Sequence, residues 1–305
     1  MITQISCGEE HTGFLTNNGL IYTIGNNADG RLGVGDHSIK YSSSPCLVEV
    51  ETKIPAANIS CGWGHTAVAF EDGSVYTWGL GDFGVLGLGD TGCQWIPVRV
   101  PLSATTKANM VSCGSRHTAL VTYLGELWMC GSGDAGQLGT SRRDVEHLFT
   151  KIPLDEEISQ ISCGIFHTGF VTRSGKIFTM GGNTFGQLGI NSKKSTSTPT
   201  QVTDLSHICI TKVACGHHTA CLSDKGDLYI WGSGIFGEFL APQKVISLKT
   251  PIKDISIGGC FGSAIDTNGM VWTWGSNASG ELGVGDYEPR VNPFPIVALQ
   301  GKKVT

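Results

Sequence analysis

The chain has 305 residues, 40% of them hydrophobic and 15% charged, with a formal net charge of −5. That is enough apolar material for a sizeable core, but the basic residues, in isolated pairs such as Arg142-Arg143, Lys193-Lys194 and Lys302-Lys303, make no phosphate-neutralising patch. No stretch approaches about eighteen apolar residues and no signal peptide opens the chain, so it reads as soluble and intracellular, cytoplasmic with nuclear or ciliary sites open, with neither nucleic acid nor membrane as a partner.

A glycine ladder sets the organisation. From the N-terminus its rungs are Gly8, Gly19, Gly25, Gly30 and Gly33, then Gly62, Gly73, Gly79, Gly84 and Gly87. Gly114, Gly125, Gly131, Gly136 and Gly139 follow, then Gly164, Gly175, Gly181, Gly186 and Gly189. The steps are 11, 6, 5 and 3 residues each time. The fifth copy is worn, with Gly216, Gly226, Gly232 and Gly237 and then Leu240, and the sixth restores the spacing at Gly258, Gly269, Gly275, Gly280 and Gly283. A fixed period of this size marks a repeat protein whose units cover one another. The repeats start near residues 5, 59, 111, 161, 213 and 255, within one domain of residues 1–305.

Each repeat predicts four short strands. In the second copy these are the segment at Ile59-Ser60-Cys61, the apolar run 66–70, the alternating run Val75-Tyr76-Thr77-Trp78, and Ile96-Pro97-Val98. β-branched and aromatic residues in short period-two runs read as strands. Asp72-Gly73 and its counterparts suit hairpin turns that need positive φ. Proline belongs on an edge strand, and it recurs in the fourth strand at Pro199 and Pro242. Four strands in about fifty residues make one propeller blade, so the chain is expected to be all-β, a single β-propeller of six four-stranded blades.

Cys61-Gly62-Trp63-Gly64-His65-Thr66, followed by Trp78-Gly79 and Leu86-Gly87, resembles the regulator of chromosome condensation repeat. The likeness extends along almost the whole chain and implies a β-propeller. That family more often has seven blades, so a seven-bladed relative less one blade is the alternative to a ring of six. The turn glycines are spaced 54, 52, 50, 51 and 43 residues apart, and the interval from Gly269 around to Gly19 is 55. This predicts that the tail at 295–299 is a strand completing a blade with the N-terminal segment.

Five of the eleven cysteines, Cys7, Cys61, Cys113, Cys163 and Cys215, share one repeat position and are expected to be buried, reduced and tens of ångströms apart. His11, His65, His117, His167 and His218 also recur, and each is expected to bond backbone within its own blade rather than to join a catalytic or metal cluster. No cofactor-binding loop is present: Gly79, Gly81 and Gly84 mimic a dinucleotide fingerprint but no helix follows them.

The loops remain. Phe83, Phe185 and Phe236 fill equivalent slots, and Asp29, Asp82 and Asp134 lie nearby. Exposed, they form an aromatic and acidic rim for a protein partner; packed beneath the loops, the phenylalanines are core. We expect a non-catalytic scaffold or adaptor within a larger assembly, such as a ciliary, cytoskeletal or ubiquitin-ligase complex. The resemblance also implies an alternative, guanine-nucleotide exchange on a Ran-like small GTPase. The longest loops, at 36–44, 89–95 and 141–146, are short for a wedge that pries at a nucleotide.

Overall fold

The computed structural model describes residues 1–234 and 237–302. Twenty-four strands there form six antiparallel sheets, each built from four consecutive strands. Blade one is β1 (Ile2–Cys7), β2 (His11–Thr16), β3 (Ile21–Asn26) and β4 (Tyr41–Val48); blade two is β5 (Ala56–Cys61), β6 (His65–Phe70), β7 (Val75–Gly79) and β8 (Gln94–Arg99). Blade three is β9 (Ala108–Cys113), β10 (His117–Thr122), β11 (Leu127–Gly131) and β12 (Glu146–Ile152); blade four is β13 (Ile158–Cys163), β14 (His167–Thr172), β15 (Ile177–Gly181) and β16 (Thr196–Gln201). Blade five is β17 (Ile210–Cys215), β18 (Thr219–Ser223), β19 (Leu228–Gly234) and β20 (Gly237–Lys244); blade six is β21 (Ile252–Ile257), β22 (Phe261–Asp266), β23 (Val271–Gly275) and β24 (Arg290–Pro295). The protein is a six-bladed β-propeller.

Local chemistry explains each blade. Gly73 turns β6 into β7 with φ +81°, and a Cβ there would meet Lys107 Cα at 2.8 Å, so both backbone and space demand glycine. Across the hairpin Thr66 faces Trp78 and Val68 faces Tyr76. Pro97, Pro199 and Pro242 lie in the outermost strands β8, β16 and β20, where a missing N–H costs no ladder bond. The buried clusters form between blades: Leu15 and Ile21 of blade one pack with Ile59, Val68, Phe70 and Tyr76 of blade two. β6, β10 and β14 are therefore buried on both faces.

The expected shared blade is not formed. All four strands of blade one come from residues 2–48, β24 pairs with β23 of its own repeat, and Val297–Leu299 is a 3₁₀ turn. Trp272 opposite Pro295 and Thr273 opposite Phe294 is a local pairing that closes a short loop. A strand exchanged to the far end of the chain would have to close a much longer one. The interval of 55 residues matched the repeat length without measuring a strand exchange. In blade five the worn ladder lets β19 and β20 run on as one hairpin, with Gly232 opposite Phe239 and Gly234 opposite Gly237.

Candidate functional site

One face of the disc gathers the parts of the repeat that differ from blade to blade. The residues following each Cys-Gly pair surround a depression of about 430 Å³ at the axis, floored by Cys7, Cys61, Cys113, Cys163 and Cys215. The cysteines thus converge on one mouth rather than standing tens of ångströms apart, because their strands are the innermost of each blade. Cys61, Cys113, Cys163 and Cys215 are buried, whereas Cys7 is exposed, contrary to expectation. Burial pushes the thiols of Cys61, Cys163 and Cys215 up to about 12. They are neutral and inert at physiological pH.

Around the mouth runs a series of backbone bonds from one blade to the next: Glu9, Trp63, Ser115 and Ile165 each donate their N–H to the carbonyl of Gly62, Gly114, Gly164 and Gly216, at 3.2–3.3 Å. Beneath it the histidines staple the blades. His11 Nε2 lies 2.9 Å from Thr66 Oγ1, His65 2.8 Å from Thr118, His117 2.9 Å from Thr168, and His167 2.8 Å from Thr219. Each threonine hydroxyl donates in turn to a carbonyl of the blade before it, those of Arg31, Val85, Gln137 and Gln187. The hydroxyl proton is therefore committed, so Nε2–H is the donor, and burial keeps the imidazole neutral. These histidines bond the next blade's threonine, not backbone of their own blade as the sequence suggested. Burial, with charge from Arg31 and neighbouring histidines, lowers His11, His117 and His167 to about 3 and His65 to about 4.

The rim turns flank this mouth. Asp29 has φ 62°, and its carboxylate pairs at 3.3 Å with Arg31, which also meets Glu10 at 3.4 Å. The Arg31 guanidinium is itself buried and reaches the Trp63 carbonyl. Asp82 and Asp134 are exposed. Phe83, at φ 59°, is half-buried with the Arg116 guanidinium 4.8 Å above its ring. Arg116, Asp134 and Phe166 line a cleft of about 220 Å³, so Phe83, Arg116, Asp134 and Phe166 form one continuous patch. Phe185, in the rim turn of blade four, is 47% exposed and is not packed beneath its loop. Phe236 lies outside the described residues.

Sequence reasoning missed Arg31, Trp63, Arg116 and Phe166. For Trp63, Arg116 and Phe166 the signal was the free pair within Cys-Gly-x-x-His, where the repeat frame leaves two positions unconstrained; Arg31 lies instead between the last two ladder glycines of the first copy, Gly30 and Gly33. What the patch offers is ion pairing, cation–π contact and apolar area. Among the described residues no group of three or more His, Cys, Asp or Glu is placed to hold a metal, and no helix is long and apolar enough to cross a membrane.

Six ladder blades around a cysteine-floored mouth, stapled histidine to threonine, define a repeat β-propeller of the regulator of chromosome condensation class. The sequence matches the RCC1-like domain over residues 1–305, and the chain belongs to that family. It is 34% identical over 309 residues to the ultraviolet-B receptor UVR8 of Arabidopsis thaliana, covering 98% of this chain and 58% of the relative. The chain spans little more than half the length of that relative and of the mitochondrial RCC1 domain-containing protein RUG3 of Arabidopsis thaliana, and a quarter or less of the length of other curated relatives. Human WBSCR16 superposes with a TM-score of 0.88 at 22% identity, over 97% of this chain and 81% of its own. Prp20p of Saccharomyces cerevisiae, described with its binding to Gsp1p and histones, superposes with a TM-score of 0.86 at 22% identity, over 97% and 76% of the two chains. Likeness to the two solved structures at that identity shows the fold alone.

Proposed function

We propose that the axial face bearing Asp82, Phe83, Arg116, Asp134, Phe166 and Phe185 docks a protein partner, and that the chain works as a non-catalytic scaffold or adaptor inside the cell. The observation that carries this reading is the continuous patch of Phe83, Arg116, Asp134 and Phe166, held on a frame whose loops are fixed from below. Aromatic and arginine side chains on a preorganised surface are the usual anchors of protein interfaces. Asp29 contributes little free charge, because Arg31 already neutralises it, so the acidic part of the surface is Asp82 and Asp134.

Capture of partners from cells with the unmodified chain and with a Phe83→Ala/Phe185→Ala variant tests the reading. A stable protein partner lost from the variant supports it; identical recovery overturns the assignment of this face. Release of a fluorescent guanine nucleotide from candidate GTPases separates docking from exchange. The expected result is no acceleration. A rate increase of about a hundredfold, roughly 2.7 kcal/mol off the barrier, makes the chain an exchange factor instead.

A further inference from the structure

Blades two to five each carry a strap from the blade before. After the last ladder glycine of blades one to four come Val34, Leu88, Thr140 and Ile190, all half-buried. The next residue, Gly35, Gly89, Ser141 or Asn191, takes a φ between 56° and 98°. Its N–H donates to a carbonyl on the outer strand of the following blade: Trp95 in β8, His147 in β12, Ser197 in β16 and Leu240 in β20, at 2.8–2.9 Å. Leu88 also forms an antiparallel bridge with Leu148. The strap thereby closes part of an edge that would otherwise stand open to another chain.

Blade five gives blade six no such strap, because its worn ladder runs β19 straight into β20 as a hairpin. The equivalent acceptor is the Val291 carbonyl of β24. Val291 lies in the irregular stretch of the β23–β24 pairing, between Arg290 and Phe294, and its carbonyl meets no strap donor among the described residues. Other ties are missing from the same joint. Ser6, Ser60, Ser112 and Ser162 each accept the N–H of a cysteine in the following blade at 2.8–3.0 Å, whereas Ala214 fills that position in blade five. Trp78 and Trp231 give their Nε1–H to the carbonyls of Arg31 and Gln187 in the preceding rim turn, but Trp274 Nε1 is buried with no acceptor among the described residues. Blades five and six are held instead by the Lys212–Asp254 ion pair and by apolar packing of Leu228 and Ile230 with Ile252, Ile255 and Trp274. Outside that packing a groove of about 230 Å³ runs between β20 and β24, lined by Phe239, Val245, Ile246, Val291 and Pro293. Ile246 is 79% exposed and Val291 49%.

We propose that this groove docks an extended segment of a partner protein in which an aliphatic residue is followed by glycine or asparagine at positive φ. The aliphatic side chain lies against Ile246 and Val291, and the next N–H donates to the Val291 carbonyl. The four straps set this chemistry, since each places a half-buried side chain and then a left-handed residue at the matching edge of the next blade. Glycine and asparagine make that turn at least cost. Addition to an open strand edge supplies main-chain bonds, and the groove selects the side chain. The site is built from outer strands rather than from the axial turns, so it stands independently of the axial docking face.

A fluorescent peptide copying the strap of blade four, residues 184–193, is the probe, titrated with the unmodified chain and read by anisotropy. Saturable binding with a Kd of about 0.1 mM or tighter is expected. Methylating the peptide nitrogen at the position copied from Asn191 removes the donor and weakens binding at least about tenfold. Val291→Lys and Ile246→Asp, both at exposed positions, each weaken it by a similar factor, while Phe83→Ala/Phe185→Ala leaves it unchanged. Absence of saturable binding overturns the proposal, as does binding that survives N-methylation and both groove substitutions. Loss of binding in Phe83→Ala/Phe185→Ala places the peptide on the axial face and also overturns it. A dimer in sedimentation that Val291→Lys abolishes gives the edge to a second copy rather than to a partner.

Discussion

His117 and Thr168 stand 51 residues apart in sequence and 2.9 Å apart in space, joined across the boundary between blades three and four. Thr168 also donates to the Gln137 carbonyl, so one hydroxyl holds an imidazole and a loop together with no access to water. Thr168→Val leaves the Nε2–H and the carbonyl unsatisfied and is expected to cost about 1–3 kcal/mol in urea unfolding. Thr12→Val, in the equivalent slot of blade one, loses only a long contact to sulfur and is expected to cost less than about 0.5 kcal/mol. Equal losses would show that the staple contributes nothing beyond the side chain's own packing.

Acid is expected to undo these staples. The unfolded histidines take up protons near pH 6.5, while in the folded protein His11, His117 and His167 resist until about 3 and His65 and His218 until about 4. Their folded values are depressed, so the stability they confer is whole above pH 6.5 and is lost as pH falls toward 4. The slope is about 1.4 kcal/mol per pH unit for each histidine. Denaturant midpoints measured from pH 7.5 to 4.5 check this. A flat profile would mean that the rings are already charged or that water reaches them.

Matched glycines separate backbone strain from contact between blades. Gly30 and Gly280 are the same rung of the ladder, with φ +83° and +81°. A Cβ on Gly30 would lie 2.7 Å from Trp95 Cα in blade two, whereas the nearest atom to one on Gly280 is 3.7 Å away. Alanine costs both positions the same left-handed strain, and Gly30→Ala is expected to cost about 1–3 kcal/mol more than Gly280→Ala. Thermal unfolding of the two variants gives the difference directly.

Phe83 gives a test in which stability and binding move apart. A bulky residue at φ 59° carries strain that glycine does not. Phe83→Gly is expected to leave stability unchanged or to raise it by up to about 1 kcal/mol, while weakening capture of the partner. A loss of more than about 1 kcal/mol would make Phe83 a packing residue that the cation–π contact with Arg116 merely covers.

Most of the fold was legible because the repeat wrote it six times. Spacing alone placed Gly73 in a turn, Trp78 in a strand and Pro97 on an edge. What spacing could not convey was which blade a side chain serves. His117 and Thr168 belong to separate repeats, and period-two patterning says which face a residue takes but not what meets it. The convergence of the cysteines was hidden for the same reason, since a ring brings residues about fifty apart in sequence to one axis. Blade one showed the limit most clearly. Ile5 carries the same apolar signature as Ile59, and nothing in its own neighbourhood announces that it is exposed where Ile59 is buried. At the site, Asp82 and Phe185 were visible as acidic and aromatic loop residues out of pattern, whereas Arg31 and Arg116 are partnered only through the fold, with Asp29 and Glu10 and with the Phe83 ring.

Thr66 and Trp78 of blade two both donate to one acceptor, the carbonyl of Arg31, in the turn that holds Asp29 outward in blade one. The rim tips proposed to dock a partner are therefore the outer ends of sockets that lock the following blade. Gripping such a tip braces two blades at once, and a partner spanning several tips acts as a splint along the array. Because, among the described residues, no backbone hydrogen bond joins blade six back to blade one, the disc is expected to come apart from its two ends inward. A splint across the middle blades would lengthen its lifetime at the ends least and at the centre most.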